Sequence, residues 1–232
     1  MNFLRVVKNL KNRYKYSTNR RGPFYDLAID YLPKKKDSVL LDIGCGDGSF
    51  VDRLHLLEKY VKVWLLDDNK EISNKKNGLL YTAPDKLPFD DLSVDFIHCS
   101  HMIEHLNISD FFSFLKEIDR VLSHDGVLVI SAPLLNYRFY EEFTHVKPYG
   151  PGIFEEYMCH DSNTNNVTGE KISRQYKKEK LIFRYHKNPD HLEWGSKFLL
   201  VDMLMKIVKK TFSLLGFIKF EKNGYTIVLR KK

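Results

Sequence analysis

Three glycines on alternating positions, Gly44, Gly46 and Gly48, follow directly on a short apolar run that closes with Asp42 and Ile43. Glycine lets the backbone turn sharply and lets a ligand lie against main-chain N–H groups. The spacing is G-x-G-x-G, with Cys45 and Asp47 between. It is not the G-x-G-x-x-G of dinucleotide binders, whose third glycine seats a helix against a strand. An acid two residues before the first glycine sits poorly beside a pyrophosphate and suits a cationic or amine-bearing ligand. A second apolar run, residues 61–67, ends in Asp67 with Asp68 beside it, about twenty residues after the glycines. A carboxylate at that place can accept both hydroxyls of a ribose, and either acid is placed to do so.

Histidine titrates near neutral pH, so His98, His101, His105 and His145 are the candidates for proton transfer. His98 falls inside the apolar run 94–100 and reads as structural. His101 lies just past the end of that run, and His105 belongs to a Glu-His-Leu segment. His145 sits in a long connection, residues 134–152, rich in aromatics (Tyr137, Phe139, Tyr140, Phe143). His101 and His145 are the two alternatives for a base, while His105 either shares that work or only hydrogen-bonds its neighbours. Nothing in the spacing of Glu104, His105 and His145 demands a metal. The three cysteines, Cys45, Cys99 and Cys159, are scattered without C-x-x-C, which points to reduced thiols rather than a disulfide framework or a zinc site.

Strand and helix patterns alternate around these residues. Strands are expected at 38–43, 61–67, 94–100 and 126–132, with helices at 25–31, 49–59 and 109–122. Gly126 is expected to take a positive φ in the turn before the fourth of these strands. Further strands are expected at 176–186 and 224–230, the last inserted antiparallel. The alternation argues an α/β fold, a doubly wound, mostly parallel sheet with right-handed crossovers. Residues 161–170 are polar and turn-rich. Residues 197–215 form a strongly apolar helix with one polar stripe of Asp202, Lys206, Lys209 and Ser213. Its apolar coat is read either as buried against the sheet or as a dimer or membrane-surface face.

The loop and its surroundings resemble the class I S-adenosylmethionine-dependent methyltransferases. The resemblance covers residues 38–150 and rests on four stretches. They are Leu-Asp-Ile-Gly-Cys-Gly-Asp-Gly, the strand ending in Asp67, residues 87–106 with Leu-Pro-Phe and Glu-His-Leu, and the helix, turn and strand ending at Pro133. The group resembled methylates small molecules, quinones and sugars, and the Thr-His-Val-Lys-Pro-Tyr segment ending at Tyr149 is similar to one in surface-glycan methyltransferases. The resemblance implies a seven-stranded Rossmann-like sheet. It implies S-adenosyl-L-methionine as cofactor, held by Asp42, Ile43, Gly44, Cys45, Gly46, Gly48, Asp67, Asp68, Asp85, Leu87, Ser100 and His101. Two departures stand out. Ala83 occupies the position of the acid that holds the adenine amino group, with Asp85 as the nearby substitute, and His124 replaces a proline in the turn.

The whole chain, residues 1–232, then reads as one methyltransferase domain. A basic arm and helix (1–36) precede the cofactor core (37–133). An acceptor-side insertion (134–196) is followed by a C-terminal helix and strand (197–232). Charge is polarised along this order. Residues 1–36 carry ten Lys and Arg against two acids, residues 37–170 eleven against twenty-three, and residues 171–232 sixteen against five. The resemblance implies O-methylation of a sugar, a glycan intermediate or another small molecule, and the basic ends add the expectation that this acceptor is anionic. An RNA methyltransferase and a non-catalytic cofactor-binding scaffold are the alternatives. Nucleic acid is the less favoured partner, because no amino-methylation Asn/Asp-Pro-Pro motif, catalytic cysteine or RNA-binding module is visible. The start of the chain lacks the apolar stretch of a signal peptide, so a cytoplasmic protein is expected.

Overall fold

Fully buried parallel strands read as continuous apolar runs, and here such runs become the centre of the sheet. The computed structural model describes residues 11–18, 20–54, 61–136, 138–160, 170–188, 198–214 and 219–232. The strands are β1 (Ser38–Ile43), β2 (Val61–Asp67), β3 (Gly78–Leu80), β4 (Val94–Ser100), β5 (Leu122–Pro133), β6 (Tyr176–Asn188) and β7 (Lys219–Lys231). They form one sheet in the order β3-β2-β1-β4-β5-β7-β6. Strands β1 to β5 pair in parallel, and β7 runs antiparallel to β5 from Val127–Arg230 to Pro133–Gly224. The expected α/β architecture, with its antiparallel last strand, is the one found.

The helices are α1 (Gly22–Ile29), α2 (Ser49–Asp52), α3 (Ile108–Val121), α4 (Gly152–Met158) and α5 (Leu199–Leu214). The Asn107 side chain caps α3 by accepting from the Asp110 N–H at 2.9 Å. Phe111, Phe114, Leu115, Ile118 and Val121 form its buried stripe. The polar edge of α3 holds the loop before β4. Arg120 donates to the carbonyls of Leu87 and Phe89 and to Asp91 and Glu117, while Glu117 also accepts from the Leu87 N–H. The Arg120 hydrogen bond holds the Glu117 carboxyl below its ordinary pKa, and the same contacts raise the guanidinium's.

Two compact units divide the chain. One comprises Phe24–Ile182 with Gly224–Lys232, and the other Met1–Pro23 with Phe183–Asn223. The first contains the glycine loop and the four candidate histidines, His98, His101, His105 and His145. The smaller unit is tied by aromatic contacts, Tyr14 lying edge-on to Phe220 at 5.3 Å, and by the Tyr185 N–H donating to Tyr16 O. It also contains α5, whose Leu199, Leu200, Met203, Leu204 and Ile207 are exposed. Burial, one of the two readings of this helix's apolar coat, is therefore not what its described side chains show. Among the side chains of this helix that are described, Asp202, Met205 and Val208 alone are partly covered. Of the expected polar stripe, Asp202 and Lys206 pair at 2.6 Å; the side chains of Lys209 and Ser213 lie outside the described set.

Other expectations are refined. Strand β5 begins at Leu122 rather than 126, because Leu122 already pairs with Val94 before a bulge reaches Val127 opposite Phe96. The positive φ in that bulge, 63°, belongs to Asp125 and not to Gly126. Gly126 is needed there for space, since a Cβ would stand 2.7 Å from Ser123 O. Helix α2 ends at Asp52 and Arg53 and Leu54 form a turn, so the helix expected over 49–59 is cut short; residues 55–59, Tyr137, most of the polar loop and Lys197 lie outside the described residues.

Candidate active site

The glycine loop leaves the carboxyl end of β1 and enters α2, and its backbone takes the form that only glycine adopts cheaply. Gly44, Gly46 and Gly48 have φ of 69°, 54° and 82°. At Gly44 a Cβ would lie 2.7 Å from Met102 Cβ, so the loop also needs a bare backbone to pass the turn after β4. The loop amides are anchored. Gly44 and Cys45 donate to Leu66 O, and Gly46 N–H donates to Asp67 Oδ2 at 2.7 Å. Asp67 Oδ1 accepts from Asn69 N–H. Asp67 thus ends β2 against the loop, as the sequence placed it, and Asp68 beside it is exposed.

Beneath the loop lies a buried polar pair. Asp42 Oδ1 and His98 Nδ1 are 2.7 Å apart, each side chain 2% exposed, on paired positions of β1 and β4. Phe50 stacks on the His98 ring at 3.8 Å, so α2, β1 and β4 are locked together at the base of the loop. Asp42 Oδ2 is buried without a partner among the described residues. Cys45 and Cys99 are buried thiols; burial, with the Asp42 and Asp67 carboxylates, pushes Cys45 up to about 12. Ser100 is buried at the end of β4, Leu87 is buried under the Arg120 network, and Asp85 is exposed.

The carboxyl ends of β4 and β5 bring the histidines together. His101 takes a left-handed φ of 57°, rare for a residue with a Cβ, and its N–H donates to Ser131 O. Its Nδ1 meets Glu104 Oε1 at 3.1 Å. Glu104 is 1% exposed, and its Oε2 is buried without a partner among the described residues. Val146 and Lys147 N–H both donate to Glu104 O, which ties the connection after β5 to the turn after β4. His105 Nδ1–H donates to Thr144 O at 3.0 Å, and His145 Nδ1–H donates to Phe139 O at 2.7 Å. The two rings lie 5.1 Å apart. Next to them runs an open groove of about 970 Å³ lined by Asn107, Ile108, Phe112, Tyr140, Val146 and Lys147, among others.

All three candidate histidines therefore gather at one end of the sheet, where ligands bind in open α/β folds. The partnerships of Asp42 with His98 and of Glu104 with His101 are not visible in the sequence. The first spans 56 residues and depends on strand register. The second is an i, i+3 contact from His101 to the 3₁₀ turn at Ile103–His105, and the apolar spacing around it gives no sign of it.

A methyltransferase domain model matches residues 41–130, from the end of β1 to the middle of β5. This chain carries a class I S-adenosylmethionine-dependent methyltransferase domain. Relatives include a Methanocaldococcus jannaschii protein, 30% identical over 107 residues covering 45% of this chain and 44% of that protein. A probable pectin methyltransferase of Arabidopsis thaliana is 35% identical over 110 residues, covering 43% and 16% of the two chains. A small RNA 2'-O-methyltransferase of the same plant is 29% identical over 133 residues, covering 49% and 14%. The chain spans less than half the length of each of these relatives. An S-adenosylmethionine-dependent methyltransferase structure from Archaeoglobus fulgidus shares the fold, with a TM-score of 0.56 and 19% identity over 99% of this chain and 100% of that one.

Proposed function

We propose that the chain transfers a methyl group from S-adenosyl-L-methionine to a hydroxyl of a glycan or other small molecule. One observation carries the reading: a strand-end carboxylate, Asp67, is hydrogen-bonded into a loop of three positive-φ glycines, and the His101–Glu104 pair stands at the ends of the neighbouring strands. A carboxylate has about four lone-pair sites, so Asp67 keeps acceptor capacity for two ribose hydroxyls beyond its two main-chain donors. Asp42 Oδ2, buried and without a partner among the described residues, supplies negative charge at the base of the loop, which suits the methionine amine. The cofactor, when bound, supplies an electrophilic methyl on a sulfonium, and the protein's part is alignment and proton removal.

His101 is the better of the two expected bases. Glu104 Oε1 accepts from its Nδ1–H, which fixes the tautomer with the lone pair on Nε2, the arrangement of a base held by a third group. A positive φ at a non-glycine residue is strain of about 1–2 kcal/mol, sustained here at the strand end where the chemistry is placed. The adjoining groove is lined largely by apolar side chains with Lys147 among them, which supports an acceptor that carries an anionic group on a larger apolar or glycan body. The sequence similarity to a probable pectin methyltransferase supports the glycan class.

Calorimetry with the cofactor and its demethylated product, followed by mass spectrometry of extracts incubated with labelled cofactor, tests the reading. Tight product binding that is lost in Asp67→Ala, together with a labelled saccharide, is the expected result. His101→Gln should lower turnover far more than cofactor affinity. No binding of either ligand overturns the assignment. A labelled RNA as the chief product replaces the glycan acceptor with the nucleic-acid one.

A further inference from the structure

We infer that Glu104, His105 and His145 form a binding site for a divalent first-row transition cation. One ligand atom from each residue lies within 4.8 Å of those of the other two. Bonds of about 2.0–2.2 Å to nitrogen and oxygen need ligand atoms about 3–4 Å apart, a closure within reach of small side-chain rotations.

The hydrogen bonds around the three residues prepare them for a cation. A carbonyl oxygen can only accept, so Thr144 O fixes the proton of His105 on Nδ1 and Phe139 O fixes that of His145 on Nδ1. Both imidazoles are therefore held as the tautomer with its lone pair on Nε2, and a main-chain carbonyl on the other nitrogen is the usual support of a metal-bound histidine. The third member gives an independent sign. Glu104 is buried, its Oε1 is engaged by His101, and its Oε2 has no partner among the described residues. A buried carboxylate oxygen left unmatched is costly and calls for a positive partner. The main chain holds the set in place, because the Val146 and Lys147 amides bind Glu104 O and so fix the His145 segment over the Glu104–His105 turn.

Two imidazoles and one carboxylate favour a borderline cation such as Fe²⁺, Co²⁺ or Zn²⁺ over Mg²⁺ or Ca²⁺, with the harder Mn²⁺ the weakest binder of the first-row series, and three protein ligands leave coordination positions open. The next step rests on the methyl transfer proposed above. An acceptor hydroxyl bound at an open position would lose its proton to His101 Nε2. Its oxygen would form the new bond to the methyl carbon as the sulfur–methyl bond breaks and that electron pair returns to sulfur. The cation lowers the cost of the developing alkoxide.

The test uses the full chain, stripped with chelator and dialysed, titrated with Mn²⁺ by electron paramagnetic resonance and with Co²⁺ by visible absorption. One ion per chain should bind, with Co²⁺ bands showing nitrogen and oxygen ligation. His105→Ala and His145→Ala should each weaken it at least about tenfold, while binding of the demethylated cofactor changes less than about twofold. His105 is exposed, so its variant should fold even if Glu104→Gln does not. No stoichiometric binding of Mn²⁺, Co²⁺ or Zn²⁺ below millimolar concentration overturns the site. So does binding that the two histidine variants leave unchanged. Failure to bind the cofactor product while the ion still binds would remove the methyl-transfer reading and leave the cation site standing.

Discussion

Replacing His98 by Phe isolates the worth of the buried pair under the glycine loop. The phenyl ring is one atom larger than imidazole, so the stack on Phe50 at 3.8 Å and the edge contact with Tyr25 at 5.6 Å are crowded rather than emptied, and the single and double variants below carry that crowding alike. What is lost is the 2.7 Å hydrogen bond to Asp42 Oδ1. Because Oδ2 already lacks a described partner, the carboxyl group of a residue 1% exposed is left with none. Removing one member of a buried pair costs about 3–5 kcal/mol, whereas replacing both members by apolar groups is often neutral. Asp42→Leu in the His98→Phe background should therefore recover at least about 2 kcal/mol of that loss. Urea unfolding reads the series; with a slope of about 2–3 kcal/mol/M, the single variant should move the midpoint down by about 1–2.5 M. The recovered double variant should still bind the demethylated cofactor more weakly than His98→Phe, since it lacks the carboxyl group beside the loop. A cost below about 1 kcal/mol for His98→Phe, or a double variant no more stable than it, refutes the reasoning.

Gly44→Ala meets both a left-handed φ, about 1–2 kcal/mol, and Met102 Cβ at 2.7 Å, about 1–3 kcal/mol more; Met102→Ala should not rescue it, because the obstructing atom remains, and urea unfolding checks both. Arg120→Ala should cost about 2–4 kcal/mol at pH 7 by freeing the loop that leads to β4. Glu117 has its folded value lowered, so the stability it contributes is present above the unfolded carboxyl value and is lost as pH falls. The gap between wild type and Arg120→Ala should accordingly shrink between about pH 6 and pH 3, measured by unfolding at several pH values. Cys45, pushed up to about 12, should react with iodoacetamide at pH 8 far more slowly in the folded protein than in urea; equal rates would show an exposed thiolate.

The central strands were legible to the residue. Ser38–Ile43, Val61–Asp67 and Val94–Ser100 coincide with apolar runs because strands covered on both faces have no polar side to blur their ends. Strand β3 went unseen because three residues, Gly78–Leu80, at a sheet edge carry no pattern. Helix α4 went unseen because it starts at Gly152, the last residue of the long connection expected over 134–152, with Pro151 as its N-cap. In the site, residue types were legible and partners were not. His101, His105 and His145 could be chosen for their chemistry, but the carbonyls and the carboxylate that set their tautomers lie up to 39 residues away along the chain. The left-handed residue in the bulge before Val127 was placed one position late. Asp125 and Gly126 are neighbours, and an aspartate tolerates that conformation, so the glycine could answer the closer approach to Ser123.

The bond from Gly46 to Asp67 makes one carboxylate answer to two masters. The same group that would receive a ribose also keeps the tip of the glycine loop drawn against the end of β2. Order in the loop and occupancy by a ligand thus draw on a common acceptor, and each becomes a term in the equilibrium of the other. A ligand that strengthens its hold on Asp67 alters the freedom of Gly46, and a change that loosens the loop is felt as lost affinity without touching any atom the ligand contacts. Amide exchange at Gly46 would act as a reporter placed inside the binding equilibrium itself.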